Sequence, residues 1–80
     1  MNGKRPQRIA EKVKAIRQHL GVSQTGMLHI LKHNGWYTRI SEYERGKRVP
    51  TVLTLLAYAR AANVRLEELI DDELELSFKL

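Results

Sequence analysis

Arg39, Glu42 and Arg45 recur every third residue, between Thr38 and the basic pair Lys47-Arg48. On a helix, residues three apart share a face. These side chains therefore project together with Thr38, while Ile40 and Tyr43, also three apart, face inward. An arginine fork matches guanine O6 and N7, a glutamate can accept from cytosine N4, and threonine can bond either kind of base edge. Gly46 ends this helical pattern, and Lys47-Arg48 form a basic loop before Pro50. Cations beside base-reading groups suit a partner with a phosphate backbone. The same charges also describe an ordinary solvated surface, and only their placement along the chain separates the two.

That placement is uneven. Residues 1–50 hold 11 Lys/Arg against 3 Asp/Glu, and residues 51–80 hold 3 against 6, within an overall net charge of +5. A polyanion is the natural partner of the first part. Eighty residues make one domain, and a chain of this size buries only about 60% of its unfolded surface. With no cysteine there is no disulfide and no thiolate metal site. No run of 18 apolar residues is present, and MNGKRPQR has no apolar signal core, so the expected location is the cytoplasm, on the nucleoid when DNA is bound. His29 and His33 have metal-ligand spacing, but Ile30 stands where a zincin has Glu and no third ligand is evident, so no metal is expected. No Ser–His–acid set and no Gly-rich phosphate loop occurs. The chain is not expected to be an enzyme or to carry a cofactor, and its few aromatics give no base-stacking platform for RNA.

Five helical segments position these residues. Ile9, Val13, Ile16 and Leu20 make one apolar stripe on a first helix over 7–20, stopped by Gly21. Ser23 caps a second helix whose buried side is Met27, Leu28 and Leu31. Gly26 in its first turn costs up to about 1 kcal/mol relative to Ala. Asn34-Gly35 supply the positive φ values of a reversal into the third helix, Tyr37 to Arg45. Two short helices around a Gly turn are the ingredients of a helix-turn-helix. Thr51 caps a fourth helix with Val52, Leu53, Leu56, Ala59 and Ala62 in helical register, closed by Asn63. Val64, Leu66, Leu69 and Ile70 make a fifth. Before them all, residues 1–8 form a basic arm whose Lys4, Arg5 and Arg8 are either a solvated tail or phosphate or minor-groove contacts.

Taken together, Arg17, Ser23-Gln24, Ile40-Ser41, Glu44-Arg45-Gly46-Lys47-Arg48-Val49-Pro50, Ala62-Asn63-Val64 and Leu66-Glu67-Glu68-Leu69 resemble the Cro/Xre-type helix-turn-helix family of phage and bacterial repressors. The resemblance covers residues 9–70. It implies an all-α, five-helix lambda-repressor-like DNA-binding domain whose third helix enters the major groove. It further implies a phosphate contact from Gln24, a backbone-contacting loop of Arg45, Lys47 and Arg48, and a structural ion pair between Arg17 and Glu44. Base readout then falls to Thr38, Arg39 and Glu42, with Tyr37 and Ser41 as secondary contacts. The stretch from Ser23 to Glu44 is longer than the family's usual spacing, with Lys32 where a Gly often ends the second helix and Leu28 where a small Ala is usual. Trp36 is open to two uses, a plug beneath the longer turn or a wedge against sugar-phosphate.

Residues 71–80 change period: Leu74, Leu76, Phe78 and Leu80 alternate with Glu73, Glu75, Ser77 and Lys79. Alternation reads as a half-buried segment, here a possible short C-terminal β-strand. A helical domain offers it no sheet, so two copies pairing antiparallel across a two-fold axis, with their apolar faces laid on the helices, make these four residues a dimerisation element. A different protein partner is the other use of this tail. The expected function is a double-stranded-DNA-binding transcription regulator, a repressor, acting as a homodimer on a palindromic operator. The alternative is a protein-interaction module of the same fold, antitoxin-like or coactivator-like, with DNA binding secondary.

Overall fold

Val13 and Ile16 have no solvent exposure, and neither do Met27, Ile40, Tyr58 and Leu69. These six come from five different helices, so the core sits where all of them converge. A computed structural model describes residues 6–32 and 38–78. The helices are α1 (Ile9–Leu20), α2 (Gln24–Leu31), α3 (Thr38–Glu44), α4 (Val52–Ala62) and α5 (Leu66–Ile70). Helix α1 packs on α3, α4 and α5, α2 packs on α3 and α4, and α4 packs on α5. No helix among the described residues is long and apolar enough to cross a membrane.

Local chemistry sets the ends of these helices. The Ser23 hydroxyl accepts from the Gly26 N–H at 3.0 Å and the Thr51 hydroxyl from the Thr54 N–H at 3.2 Å, each satisfying one first-turn donor. Gly21 and Asn63 close α1 and α4 in the left-handed region, at φ 70° and 57°. Lys32 closes α2 there as well, at φ 57°. A non-glycine residue in that region is strained by roughly 1–2 kcal/mol. Gly26 has a steric reason: a Cβ there would meet the Val22 Cβ at 3.1 Å. The turn residues Asn34, Gly35 and Trp36 lie outside the described residues, as does His33, while His29 is exposed.

On α4 the buried face differs from the one expected. Leu55 and Tyr58 enter the core with Ala59 and Ala62, while Val52 and Leu53 are 66% and 77% exposed. The helix is apolar nearly all round, so its periodicity alone does not select a face. The Tyr58 hydroxyl is buried with no hydrogen-bond partner among the described residues, and burial, then the nearby Glu44, push its pKa up.

Two polar clusters lie inside this frame. In the first, the Arg17 guanidinium grips Glu44 with two bonds, Nε to Oε2 at 2.6 Å and Nη2 to Oε1 at 3.1 Å, and also donates to the Val22 carbonyl at 3.0 Å. The Glu44 side chain is only 4% exposed. The second cluster holds the tail. Lys12 is buried, and its ammonium donates to the carbonyls of Glu68, Asp71 and Leu74 at 2.6, 2.8 and 2.8 Å. An ammonium has three donors, and here all three are used. The carbonyls belong to the end of α5 and the turn after it, where a cation also meets the helix dipole favourably. The buried Glu68 carboxylate accepts from the Ser77 N–H and hydroxyl at 2.7 and 2.9 Å and from Arg65 Nε at 3.2 Å.

Residues 71–78 consequently dock on their own helices. Leu76 and Phe78 pack against the core, Leu74 is half-buried, and the Phe78 ring stacks on His19 at 3.9 Å. No strand forms among the described residues of the tail. Its alternation is realised without a sheet, because the partners of its backbone include the side chains of Lys12 and Glu68. Leu80 lies outside the described residues.

Both clusters yield measurable outcomes. Arg17→Met strands a buried carboxylate, and urea unfolding should show a loss of about 3–5 kcal/mol; unfolding like that of the parent chain would show that the pair contributes nothing. Glu68 is the acid-sensitive group. Its pKa is lowered to about 2, chiefly by the Ser77 N–H, then by the Ser77 hydroxyl and Arg65, against the opposing effect of burial. A carboxylate lowered in the folded state stabilises it above the unfolded pKa and loses that contribution as pH falls toward the folded one. Stability should therefore drop between about pH 4.5 and about 2, and Glu68→Gln should flatten that drop. An equally steep drop in the variant would remove Glu68 from the cause.

Candidate nucleic-acid interface

Helix α3 turns Ile40 and Tyr43 into the core, at 0% and 3% exposure. This fixes what lies on its other side. Thr38 and Arg39 are exposed, Ser41 and Glu42 half-buried, and Arg45 exposed at the helix end. Tyr37 lies outside the described residues.

The chain then folds back on α3. Gly46 takes φ +74°, a conformation strained for any residue with a Cβ. Its N–H bonds the Tyr43 carbonyl at 3.2 Å, and the N–H groups of Lys47 and Arg48 both reach the Glu42 carbonyl, at 2.9 and 3.3 Å. A Cβ on Gly46 would also lie 3.8 Å from that of Ala10, so the loop rests on α1. The result is a small, rigidly anchored patch with the exposed cations Arg39, Arg45, Lys47 and Arg48 around one carboxylate.

That carboxylate is Glu42. Arg48 Nε donates to its Oε1 at 2.9 Å. This bond first, then the charges of Arg48, Arg39 and Arg45, holds its pKa below the usual carboxylate value. Glu42 is thus ionised and acceptor-only, the state that can take a base-edge amino group. An exposed pair of this kind contributes little in water, so Arg48 can leave Glu42 for another anion at little cost. The remaining cations focus a positive potential on this face.

Gln24 sits elsewhere. Its Nε2 donates to Glu44 Oε1 at 3.3 Å, so its amide joins the Arg17–Glu44 cluster at the start of α2. The structure thus brings Thr38, Arg39, Ser41, Glu42, Arg45, Lys47 and Arg48 to one surface. Arg17, Gln24 and Glu44 form a partly buried polar joint beside it, with only the Glu44 side chain nearly closed to water. Leu74, Leu76 and Phe78 belong to the docked tail and not to this surface.

Lys12 and Glu68 escaped sequence reasoning, though a signal existed. Lys12 falls between Ile9 and Ile16 on the apolar stripe of α1, where a lysine must find partners or shift its charge. Glu68, next to Leu69, serves Arg65 as well as the tail: Glu68 Oε2 accepts from the Arg65 N–H at 3.4 Å, a first-turn contact with the residue that opens α5.

Comparison with known proteins follows the same lines. A helix-turn-helix family model matches residues 37–69, from the start of α3 to α5. Among solved structures, the P22 c2 repressor protein in complex with synthetic operator 9T in the presence of Tl+ is similar in fold, with a TM-score of 0.72 at 24% identity, over 84% of this chain and 98% of that one. No curated protein matches the chain. Residues 37–69 thus resemble a helix-turn-helix, and the five helices share the all-α fold of that repressor.

Proposed function

We propose that the protein is a sequence-specific double-stranded-DNA-binding transcription regulator, a repressor, that reads the major groove with α3. The observation that carries this reading is the single surface on which Arg39, Glu42 and Arg45 stand beside the anchored loop of Lys47 and Arg48. Thr38, Arg39 and Glu42 face base edges. Arg45, Lys47 and Arg48 take phosphates, with Ser41 and Tyr37 as secondary contacts, and Gln24 adds a phosphate contact from the start of α2. The P22 c2 repressor's presence on an operator in its own structure supports the DNA partner.

On a palindromic site two copies would set their α3 helices in successive major grooves, roughly 34–36 Å apart. The proposed dimer contact is the tail. Leu76 and Phe78 lie on their own helices, and the contact proposed is antiparallel pairing of this tail with the tail of a second copy. A second reading rests on a separate observation. An apolar groove between α2 and α4, lined by Ile30, Leu31, Leu53, Leu56 and Ala57 with Lys32 and Arg60, adjoins the exposed Val52. Such a face suits a protein partner and an antitoxin-like or coactivator-like module.

Two experiments decide between these. Lys47→Ala should weaken specific and random duplexes alike and lower the log–log salt slope by about 0.9, whereas Arg39→Ala should cost roughly 1–3 kcal/mol on the preferred site and relax one base pair. Unchanged slope and unchanged base preference would move the function to the α2–α4 groove. Sedimentation at tens of micromolar should give a dimer that truncation after Asp72 converts to monomer; a full-length monomer would eliminate the tail contact.

A further inference from the structure

Arg48 is tied to Glu42 twice. Its N–H and that of Lys47 bond the Glu42 carbonyl, at 3.3 and 2.9 Å, and its Nε donates to Glu42 Oε1 at 2.9 Å. The first tie fixes where the loop lies. The second joins two side chains open to water, 50% and 35% exposed for Arg48 and Glu42. The guanidinium can therefore swing away while the backbone of the loop stays in place. Arg39 and Arg45 act on the same carboxylate through their charges.

On DNA the tasks of these two side chains compete with their bond to each other. Glu42 suits a base amino group and Arg48 a phosphate, yet in the free protein each occupies the other. In water the exchange is cheap, because exposed ion pairs contribute little. Inside a groove it is not. A carboxylate pressed against base edges, with water displaced and no donor, is costly. A base that offers an amino group there supplies the donor, and one that presents an acceptor repels the carboxylate. The base opposite Glu42 thus decides whether Arg48 leaves.

Building on the DNA-binding reading above, we propose that the Glu42–Arg48 pair is a specificity switch: Arg48 stays on Glu42 until a base amino group, such as cytosine N4, replaces it, and only then takes a phosphate. A correct base pair is read twice, by Glu42 directly and by Arg48 as one more phosphate contact. Arg48 discriminates between sequences although it touches no base.

Salt dependence separates this switch from an ordinary phosphate contact. Full-length protein is titrated with two duplexes over a range of salt. One is the preferred site, and the other has an exchanged base pair at the position whose preference Glu42→Gln alters. The parent's log–log slope should be steeper on the preferred site by about 0.9, one phosphate contact. Arg48→Ala should remove that difference, lowering the slope on the preferred site and leaving the exchanged site unchanged. Glu42→Gln removes the charge that holds Arg48, so it should raise the slope on the exchanged site to the preferred-site value. Adding Arg48→Ala to Glu42→Gln should then lower both slopes equally. Arg48→Lys, which keeps the charge, should retain the steep slope on the preferred site and guards against a folding defect in Arg48→Ala. Equal parental slopes on the two duplexes overturn the switch, as do equal losses on both from Arg48→Ala alone. A Glu42→Gln variant with unaltered base preference overturns it too. Lys47→Ala tells this failure from failure of the DNA face. If it lowers both slopes while the switch fails, Arg48 is an ordinary phosphate contact; if it leaves both unchanged, the face itself is wrong and the switch falls with it.

Discussion

Glu44 closes α3 with a carboxylate that is almost wholly removed from water and must be fully bonded there. Arg17 supplies two bonds from α1 and Gln24 a third from α2. One buried charge therefore sets the relation of three helices. Arg17 also reaches the Val22 carbonyl, in the link between α1 and α2. Because Glu44 ends the helix whose outer face carries Arg39 and Glu42, the joint determines where those side chains point. A purely apolar contact of Ile40 and Tyr43 would hold α3 down but restrain its rotation less, since hydrophobic burial is non-directional.

The second cluster does for the chain ends what the first does for α3. Lys12 gives its three donors to carbonyls and Glu68 takes the tail's N–H and hydroxyl. Leu76 and Phe78 then cover part of the core that five short helices leave thin. In a domain this small such a cover matters, because total stability is only about 5–15 kcal/mol. Arg8 adds to this closure, its guanidinium donating to the Asp72 carbonyl and to Glu75.

Much of this was legible in the sequence, where local rules act alone. Ser23 and Thr51 begin helices and Gly21 and Asn63 end them because caps and left-handed stops depend on one residue type at one position. The face of α3 followed from spacing around Ile40 and Tyr43. Arg17 and Glu44 are 27 residues apart, and only the family resemblance put them together. What stayed hidden depends on tertiary choice. Val52 and Leu53 are as apolar as Leu55 and Tyr58, and packing alone decides which pair is buried. Lys12 reads as surface charge until three carbonyls from α5 and the tail surround it. The alternation after Glu73 marks an inside and an outside, but not whether the inside rests on another strand or on the chain's own helices.

The proposed DNA-contacting surface is the outer face of α3 and the loop after it, held by the Arg17–Glu44 joint. Amide NMR during titration with duplex DNA at low salt tests it most directly. The largest shifts should fall on Thr38 to Arg48, with smaller ones at the start of α2, while Ile30 and Leu53 to Ala61 stay put. Shifts concentrated along α2 and α4, with α3 unmoved, would contradict it.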